Sequence, residues 1–233
     1  MKRTTITTLT AILMLIALTV NAQKTVSIDV KDFNGVENSI SANVNLYQDA
    51  NYKVEVIAPQ NVIDDLKIFV EDGILKLKKK DHNFNWSSSD KVIVNVWAPN
   101  YVLLALNGSG DMLAKTAMSG KDLAIKINGS GDVKIESLKV ASLSIKSNGS
   151  GDVFVAGSDA AENAELSING SGDIDASQLS FKSISAQVNG SGDIDLWATN
   201  EIQAKIVGSG DIEIKGNPKI DAKVVGSGSI KNK

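Results

Sequence analysis

Residues 184–196 read Ile-Ser-Ala-Gln-Val-Asn-Gly-Ser-Gly-Asp-Ile-Asp-Leu. Apolar and polar residues alternate before and after the Gly-Ser-Gly-Asp tetrapeptide. A period of two is that of a β-strand with one buried face and one face in water. Glycine, serine and aspartate are typical turn residues, since glycine tolerates φ > 0 and the other two form local hydrogen bonds to the backbone. The stretch therefore predicts two strands joined by a sharp corner.

The tetrapeptide is repeated along the second half of the chain. Six copies end in Asp, and a seventh, Gly226 to Ser229, ends in Ser. Subtracting the positions of the first glycines gives steps of 21, 20, 21, 20, 18 and 18 residues. The residues of this predicted turn motif are Gly108, Gly110, Asp111, Gly129, Gly131, Asp132, Gly149, Gly151, Asp152, Gly170, Gly172, Asp173, Gly190, Gly192, Asp193, Gly208, Gly210 and Asp211. A regular period of this length is typical of a repeat architecture.

The repeat predicts an all-β solenoid. Apolar residues lie two, four and six positions before the first glycine, as in Leu123, Ile125 and Ile127. One unit cannot bury this face alone, but stacked units share a core, with equivalent residues about 4.8 Å apart. We predict a parallel β-helix of about six coils over residues 101–233. An antiparallel sandwich with a hairpin at each turn is the alternative, but it does not explain a period twice a hairpin's strand length.

The N-terminal part divides into two segments. Residues 1–22 have Lys2 and Arg3, an apolar run and a final Val-Asn-Ala, which is the pattern of a cleaved signal peptide. Residues 23–100 alternate as strands but lack the motif, and we predict that they form a β-rich cap over the first coil. Residues 231–233 and the missing Asp of the seventh copy indicate a second cap. The protein is therefore expected in the periplasm, on the outer surface or outside the cell, with no transmembrane segment after cleavage.

Composition excludes several kinds of chemistry. The chain has no cysteine, its only arginine is Arg3 and its only histidine is His82. Without residues 1–22 the net charge is 22 − 27 = −5, which argues against nucleic acid as a partner. Six equivalent carboxylates favour a repeated structural part over one tuned acid and base. We therefore predict no enzyme and no required cofactor. A polysaccharide lyase or hydrolase on a β-helix, or a purely structural envelope protein, are the alternatives.

Two sets of residues are candidates for binding. Stacked carboxylates repel one another, and backbone N–H groups, water or a cation must offset this repulsion. If the cation is Ca²⁺, the Asp-x-Asp pairs are the candidate ligands: Asp173, Asp175, Asp193 and Asp195. Phe84 and Trp86 lie in a polar loop and could form a ligand-contact tip, or fold back onto the cap. The predicted partners are a glycan or a cell-surface protein.

The repeated Asn-Gly-Ser-Gly-Asp, the leader and the β-rich N-terminal segment resemble the head GIN domain family of autotransporter adhesins, common in Bacteroidetes. The resemblance covers roughly residues 30 to 215. It implies a right-handed β-helix similar in shape to pectin lyases, export to the cell envelope and an adhesive role. It supplies no catalytic residues. The combined expectation is a secreted adhesin-like or scaffold protein that binds through a repetitive face.

Overall fold

The computed structural model describes residues 23–80, 86 and 91–233. Within these residues the chain forms 21 strands and one short helix. The strands are β1 (Lys24–Ile28), β2 (Gly35–Asn38), β3 (Asn43–Gln48), β4 (Lys53–Ala58), β5 (Leu66–Glu71), β6 (Ile74–Lys79), β7 (Ile93–Ala98), β8 (Leu103–Leu106), β9 (Met112–Ala114), β10 (Met118–Ser119), β11 (Asp122–Ile127), β12 (Val133–Ile135), β13 (Leu138–Lys139), β14 (Ser142–Gly149), β15 (Val153–Ala156), β16 (Ala161–Gly170), β17 (Ile174–Gly190), β18 (Ile194–Gly208), β19 (Ile212–Lys215), β20 (Lys219–Gly226) and β21 (Ile230–Asn232), and the helix is α1 (Gln60–Asp65). The predicted leader, residues 1–22, lies outside the described residues.

The repeats wind into a parallel β-helix, as predicted. Each coil adds one strand to each of two stacks, and the two stacks meet at the Gly-Ser-Gly-Asp corners. The first stack continues through β8, β11, β14, β16, the second halves of β17 and β18, and β20. The second stack continues through β9, β12, β15, the first halves of β17 and β18, β19 and β21. All of these pairs are parallel, so the hairpin sandwich is wrong.

The register follows the repeat residue by residue. Ile168 pairs with Val188, and Val188 pairs with Ile206, so equivalent apolar residues stack on the inner face. All three are fully buried. The inner face joins one core that extends from Phe33 to Ile214. Ser147, which replaces an apolar residue in one coil, is also buried, and its hydroxyl donates to the Gly151 carbonyl at 3.1 Å.

The N-terminal segment forms part of the same β-helix. Strand β2 lies between β6 and β8, and β3 lies between β7 and β9, in each case with parallel pairing. The sheet therefore continues across residue 100, the predicted boundary between the cap and the β-helix. The coil formed by β2 and β3 is inserted between two coils that follow it in the sequence.

The N-terminal end of the β-helix is covered by a smaller group of elements than predicted. Strand β5 pairs antiparallel with β6, and β4 pairs antiparallel with both β1 and β7. Helix α1 connects β4 to β5 and buries Val62, and Leu66 at its end is also buried. These antiparallel elements end the parallel stacking, because their direction differs from that of a further coil. The helix has six residues, and no helix in the described part of the chain is long and apolar enough to cross a membrane.

The C-terminal end is different. The predicted second cap, residues 231–233, contributes to β21, which pairs with β19 and extends the second stack. Lys231 and Lys233 form ion pairs with Asp211 and Glu213 of the preceding coil. These residues therefore continue the β-helix and do not cross its end. Strand β20 ends the first stack, and all eight of its residues are exposed.

Candidate functional site

The corners require glycine mainly because successive coils come very close. A Cβ atom added to Gly172 would lie 2.2 Å from the carbonyl oxygen of Gly151 in the preceding coil. The first glycine of the same motif, Gly170, has a φ of 150° and would place a Cβ 2.1 Å from the Gly149 oxygen. The expected positive φ is therefore found at the first glycine, but not at Gly172. Close backbone approach explains the second glycine of the motif.

The aspartates form a ladder in which backbone N–H groups offset the repulsion between carboxylates. The Asp193 N–H donates to Oδ1 of Asp173 at 2.7 Å, and the Asp211 N–H donates to Oδ1 of Asp193 at 2.7 Å. The same bond joins Asp132 to Asp111, Asp152 to Asp132 and Asp173 to Asp152. Hydrogen bonds from N–H groups stabilise the ionised carboxylate. The ladder therefore holds each corner to the next one.

A second ladder of asparagine amides lies beside the first. Four of these amides donate to the side-chain oxygen of the Asn one coil earlier, at 2.8–2.9 Å, and the first, Asn107, donates to the Ser39 hydroxyl at 3.4 Å. Its members are Asn107, Asn128, Asn148, Asn169 and Asn189. The ladder stops at the next copy, where Val207 replaces Asn. Because these amides bond mainly to one another, they stabilise the stacking of coils.

The serines of the corners are exposed, and they bond to the preceding coil through the backbone. The Ser191 N–H, for example, donates to the Gly170 carbonyl at 2.9 Å. We expected the Ser side chain to form a hydrogen bond to the backbone, but here the backbone N–H of the serine forms the bond to the preceding coil. The exposed corner serines are Ser109, Ser130, Ser150, Ser171, Ser191, Ser209 and Ser227. Ser109 has a hydroxyl partner, Ser41, at 3.2 Å.

The four candidate metal ligands lie on two adjacent coils, at the beginning of β17 and of β18. Asp175 pairs with Asp195 in register, and Asp175 Oδ1 accepts the Ser177 N–H at 3.0 Å and its hydroxyl at 2.7 Å. Partial burial, together with a hydrogen bond to Glu213, raises the pKa of Asp195. No group of three or more His, Cys, Asp or Glu in the described ranges is placed to hold a metal ion. Calcium binding by Asp173, Asp175, Asp193 and Asp195 stays a prediction.

Of the two aromatic candidates, Trp86 lies at the N-terminal end of the β-helix. Phe84 lies outside the described residues. Trp86 packs against the core, and its indole N–H donates to Asp65 Oδ2 at 3.0 Å. The ammonium group of Lys79 lies 4.5 Å from the centre of its ring, a cation–π distance. Trp86 thus folds back onto the cap, the alternative that the sequence left open.

The outer face of the first stack carries a feature that the sequence analysis missed. Two adjoining shallow grooves, of about 340 and 230 Å³, cross β11, β14, β16 and the second halves of β17 and β18, and both are lined by Asn163 and Ala164. Hydroxyl and amide side chains line them beside apolar residues such as Val102, Leu123 and Leu143. We call this surface the serine groove after its neutral polar residues: Ser142, Ser144, Asn163, Ser183, Ser185 and Gln203. The Ser-x-Ser pairs in β14 and β17 were the available signal, because alternate residues share one face.

Acidic side chains flank the serine groove and bond to its hydroxyls. The Ser144 hydroxyl donates to Glu165 at 3.3 Å, and the Ser183 hydroxyl donates to Glu201 at 3.2 Å. Lys146 forms a 3.0 Å ion pair with Glu165. The groove therefore presents small neutral polar groups between apolar and acidic side chains on a sheet. Such a surface can form several weak hydrogen bonds to a hydroxyl-rich ligand.

A basic cavity was also missed. It has a volume of about 460 Å³ and is lined by Ser39, Lys67, Lys78, Lys79 and Lys80. Lys67 lies directly opposite Lys78 in the β5–β6 pair, and Lys78 is 3.3 Å from Glu37. The signal was the run Lys-Leu-Lys-Lys-Lys at residues 76–80, which the negative net charge of the whole chain concealed.

Comparison with known proteins agrees with this geometry. The family model "Putative auto-transporter adhesin, head GIN domain" matches residues 32–218. The chain belongs to the head GIN domain family. The match includes the coil formed by β2 and β3 as well as the six Gly-Ser-Gly-Asp corners. The family resemblance expected from the sequence is therefore confirmed.

Solved structures share the head GIN domain fold of this chain. A protein described as a putative adhesin from Bacteroides fragilis is 29% identical, with a TM-score of 0.86 over 91% of this chain and 97% of that chain. A protein described as a putative lipid binding protein from Parabacteroides distasonis is 25% identical, with a TM-score of 0.73 and the same coverage. A putative adhesin from the same organism, at 23% identity and a TM-score of 0.74, shows the fold alone. No curated protein matches the chain.

Proposed function

We propose that the chain is an exported, non-catalytic adhesin-like protein that binds a glycan of the cell envelope or of a neighbouring surface along the serine groove. Membership of a family described as adhesins supports the adhesive role and the location. The observation that carries the proposal is the serine groove itself, where small polar side chains recur from coil to coil on one exposed face.

The repeat gives this surface a fixed spacing. Neighbouring strands of a sheet lie about 4.8 Å apart, so hydroxyl and amide groups recur at that interval across β14, β16 and β17. The backbone beneath them is held by parallel pairing on both sides. A preorganised surface loses little conformational entropy on binding. A polymer with repeated hydroxyl groups can therefore be bound through many weak contacts.

The uniformity of the corners supports a non-catalytic role. An acid–base pair needs two groups whose environments move their pKa values apart. Along the corners, Asp111, Asp132, Asp152, Asp173 and Asp193 each accept the N–H of the next motif residue through Oδ1. The five carboxylates therefore have equivalent hydrogen-bond partners. This regularity is the reason to prefer a binding protein over a lyase or hydrolase.

A glycan array followed by titration of the retained glycan tests the proposal. Ser144→Trp fills the serine groove, and tryptophan is well tolerated in strands. Ser171→Trp places the same side chain on an exposed corner outside the groove and is the matched control. We expect Ser144→Trp to weaken binding at least ten-fold and Ser171→Trp to leave the affinity within two-fold, with similar circular dichroism spectra for both variants.

Two further arms separate the alternatives. Phospholipid vesicles are included because one similar structure is described as a lipid-binding protein, and retention by vesicles with no retained glycan would contradict the proposal. Trp86→Ala tests the aromatic candidate, and we expect glycan affinity to be unchanged because Trp86 packs on the cap. Release of shortened or unsaturated sugar from a retained polysaccharide would show an enzyme. Loss of glycan binding in Ser171→Trp but not in Ser144→Trp would show that the binding site lies at the corners and not in the serine groove.

A further inference from the structure

The two ends of the β-helix are built differently. The N-terminal end is covered by α1 and the antiparallel strands β1, β4 and β5. At the C-terminal end, Ile220 and Val224 are 39% and 41% exposed, whereas their equivalents one coil earlier, Ile202 and Ile206, are 1% and 0% exposed. The inner, apolar face of the last coil is therefore open to solvent at the end of the stack.

Strand β20 is also an unpaired edge. It pairs with β18 through eight residues, from Lys219 to Gly226, on one side. No strand in the described part of the chain pairs with its other side. An edge of this length presents a row of free N–H and C=O groups and is a template for another strand. Proteins usually protect such edges with a bulge, a proline or a covering element, and β20 itself contains no proline.

The sequence of β20 is complementary to itself in the antiparallel direction. Its centre reads Ile220-Asp221-Ala222-Lys223-Val224. If two copies pair with Ala222 opposite Ala222, then Asp221 lies opposite Lys223 twice and Ile220 lies opposite Val224 twice. Cross-strand pairs of opposite charge and of apolar residues stabilise a sheet, and like charges directly opposite destabilise it. A parallel pairing in register would instead place Asp on Asp and Lys on Lys.

The neighbouring coil provides a second reason for the same pairing. Within the sheet, Lys223 of β20 lies next to Lys205 of β18. Both lysines are exposed on the outer face, so their charges repel. An Asp221 from another copy would stand on the opposite side of Lys223 and offset this repulsion. The charge pattern thus selects one register and one direction.

We infer that a second copy of the chain pairs with β20, so that two β-helices join end to end across a two-fold axis at Ala222. The interface is the same surface on both copies, and such a contact closes at two subunits. Pairing shields Ile220 and Val224 of both copies and joins the two first stacks into one sheet. The N-terminal ends, and the serine grooves on the outer faces, remain accessible.

Charge exchange tests the register. The mass of the chain is measured by light scattering and sedimentation over a range of concentrations, without any glycan. We expect a dimer in wild type, at least ten-fold weaker association in Asp221→Lys, and recovery in Asp221→Lys/Lys223→Asp, because the exchange restores opposite charges in the same register. Asp159→Lys makes the same change of charge on an exposed carboxylate of an earlier coil, outside the serine groove, and is the control that leaves the dimer intact.

Disulfide cross-linking tests the position of the two-fold axis directly. Because the chain has no native cysteine, any disulfide must form between the introduced residues. Ala222→Cys places two thiols opposite each other, at a Cα separation that a disulfide can bridge. Val225→Cys is on the same exposed strand, but its two copies would be about 20 Å apart along the strand, beyond any disulfide. We expect rapid dimer formation under mild oxidation for Ala222→Cys alone. A monomeric wild type at all concentrations, open-ended assemblies, or equal cross-linking of both variants would overturn the inference.

Discussion

Replacing Gly172 with alanine should weaken the β-helix at its middle. The added Cβ would lie 2.2 Å from the oxygen, 2.9 Å from the carbon and 3.0 Å from the nitrogen of Gly151. All three are backbone atoms, so no side chain can rotate away. Real Cβ contacts essentially never fall under 3.0 Å, and the two coils must separate locally by at least 3.0 − 2.2, or about 0.8 Å.

This separation breaks specific bonds. The Ser171 N–H donates to the Gly149 carbonyl at 2.9 Å, and the Asp173 N–H donates to Asp152 Oδ1 at 2.8 Å. A shift of about 0.8 Å takes both beyond hydrogen-bond length. Two lost bonds cost about 2 kcal/mol, and the forced packing costs about 1–3 kcal/mol more. We expect a loss of about 4 kcal/mol in the free energy of unfolding, or a fall in Tm of about 8–16 °C for a chain of this size.

Thermal melting followed by circular dichroism measures this effect, and Gly120→Ala is the matched control. A Cβ on Gly120 would find its nearest heavy atom, the Tyr101 oxygen, at 3.9 Å. This variant should melt within about 2 °C of wild type, because surface substitutions of this kind change the free energy by under 0.5 kcal/mol. Equal melting temperatures for Gly172→Ala and Gly120→Ala would refute the close stacking of corners on which the fold rests.

Two other predictions concern aspartates. Asp173→Ala leaves the Asp193 N–H without its acceptor and should lower the free energy of unfolding by about 1–2 kcal/mol. Asp173→Asn keeps an acceptor oxygen and should stay within about 0.5 kcal/mol of wild type. Urea unfolding compares the two variants, and equal losses would contradict the aspartate ladder. Burial and Glu213 raise the pKa of Asp195 in the folded chain, so its ionised form opposes folding at neutral pH and its protonated form does not. Asp195→Asn should therefore raise Tm at pH 7. This gain in Tm should shrink as the pH falls toward 3.8, the ordinary pKa of Asp. A gain in Tm that is independent of pH would show that the charge of Asp195 is not the cause.

The sequence was sufficient for the repeated part of the fold because the repeat fixes both period and register. Once Ile168, Val188 and Ile206 are recognised as equivalent, stacking follows, and the structure pairs them. The reason for the second glycine was not predictable in the same way. Close approach between Gly172 and Gly151 depends on how tightly two coils turn, and this distance is not encoded in any single motif.

The N-terminal segment and the candidate site show where local patterns are insufficient. Strand alternation at β2 and β3 was recognised, but their position between later coils depends on pairing with β6, β8, β7 and β9, which are remote in the sequence. The serine groove depends in the same way on three or more strands lying side by side. For Trp86 the sequence allowed a ligand-contact tip or packing on the cap. Its hydrogen bond to Asp65, 21 residues away in the chain, places it on the cap.

The inserted coil of β2 and β3 determines the order in which the chain can acquire its structure. Residues 35–38 need partners both at 74–77 and at 103–106, and residues 44–46 need partners both at 94–96 and at 112–114, so the inserted coil cannot be completed before residue 114 has been made. The strands that follow then add to this template one at a time, through pairings 17–22 residues back. Assembly is thus slow at the start and rapid afterwards, since distant pairings must close before near ones gain from them. A premature stop near residue 100 would leave β2 and β3 paired on one side only, whereas loss of the last coil alone would leave most of the rod intact.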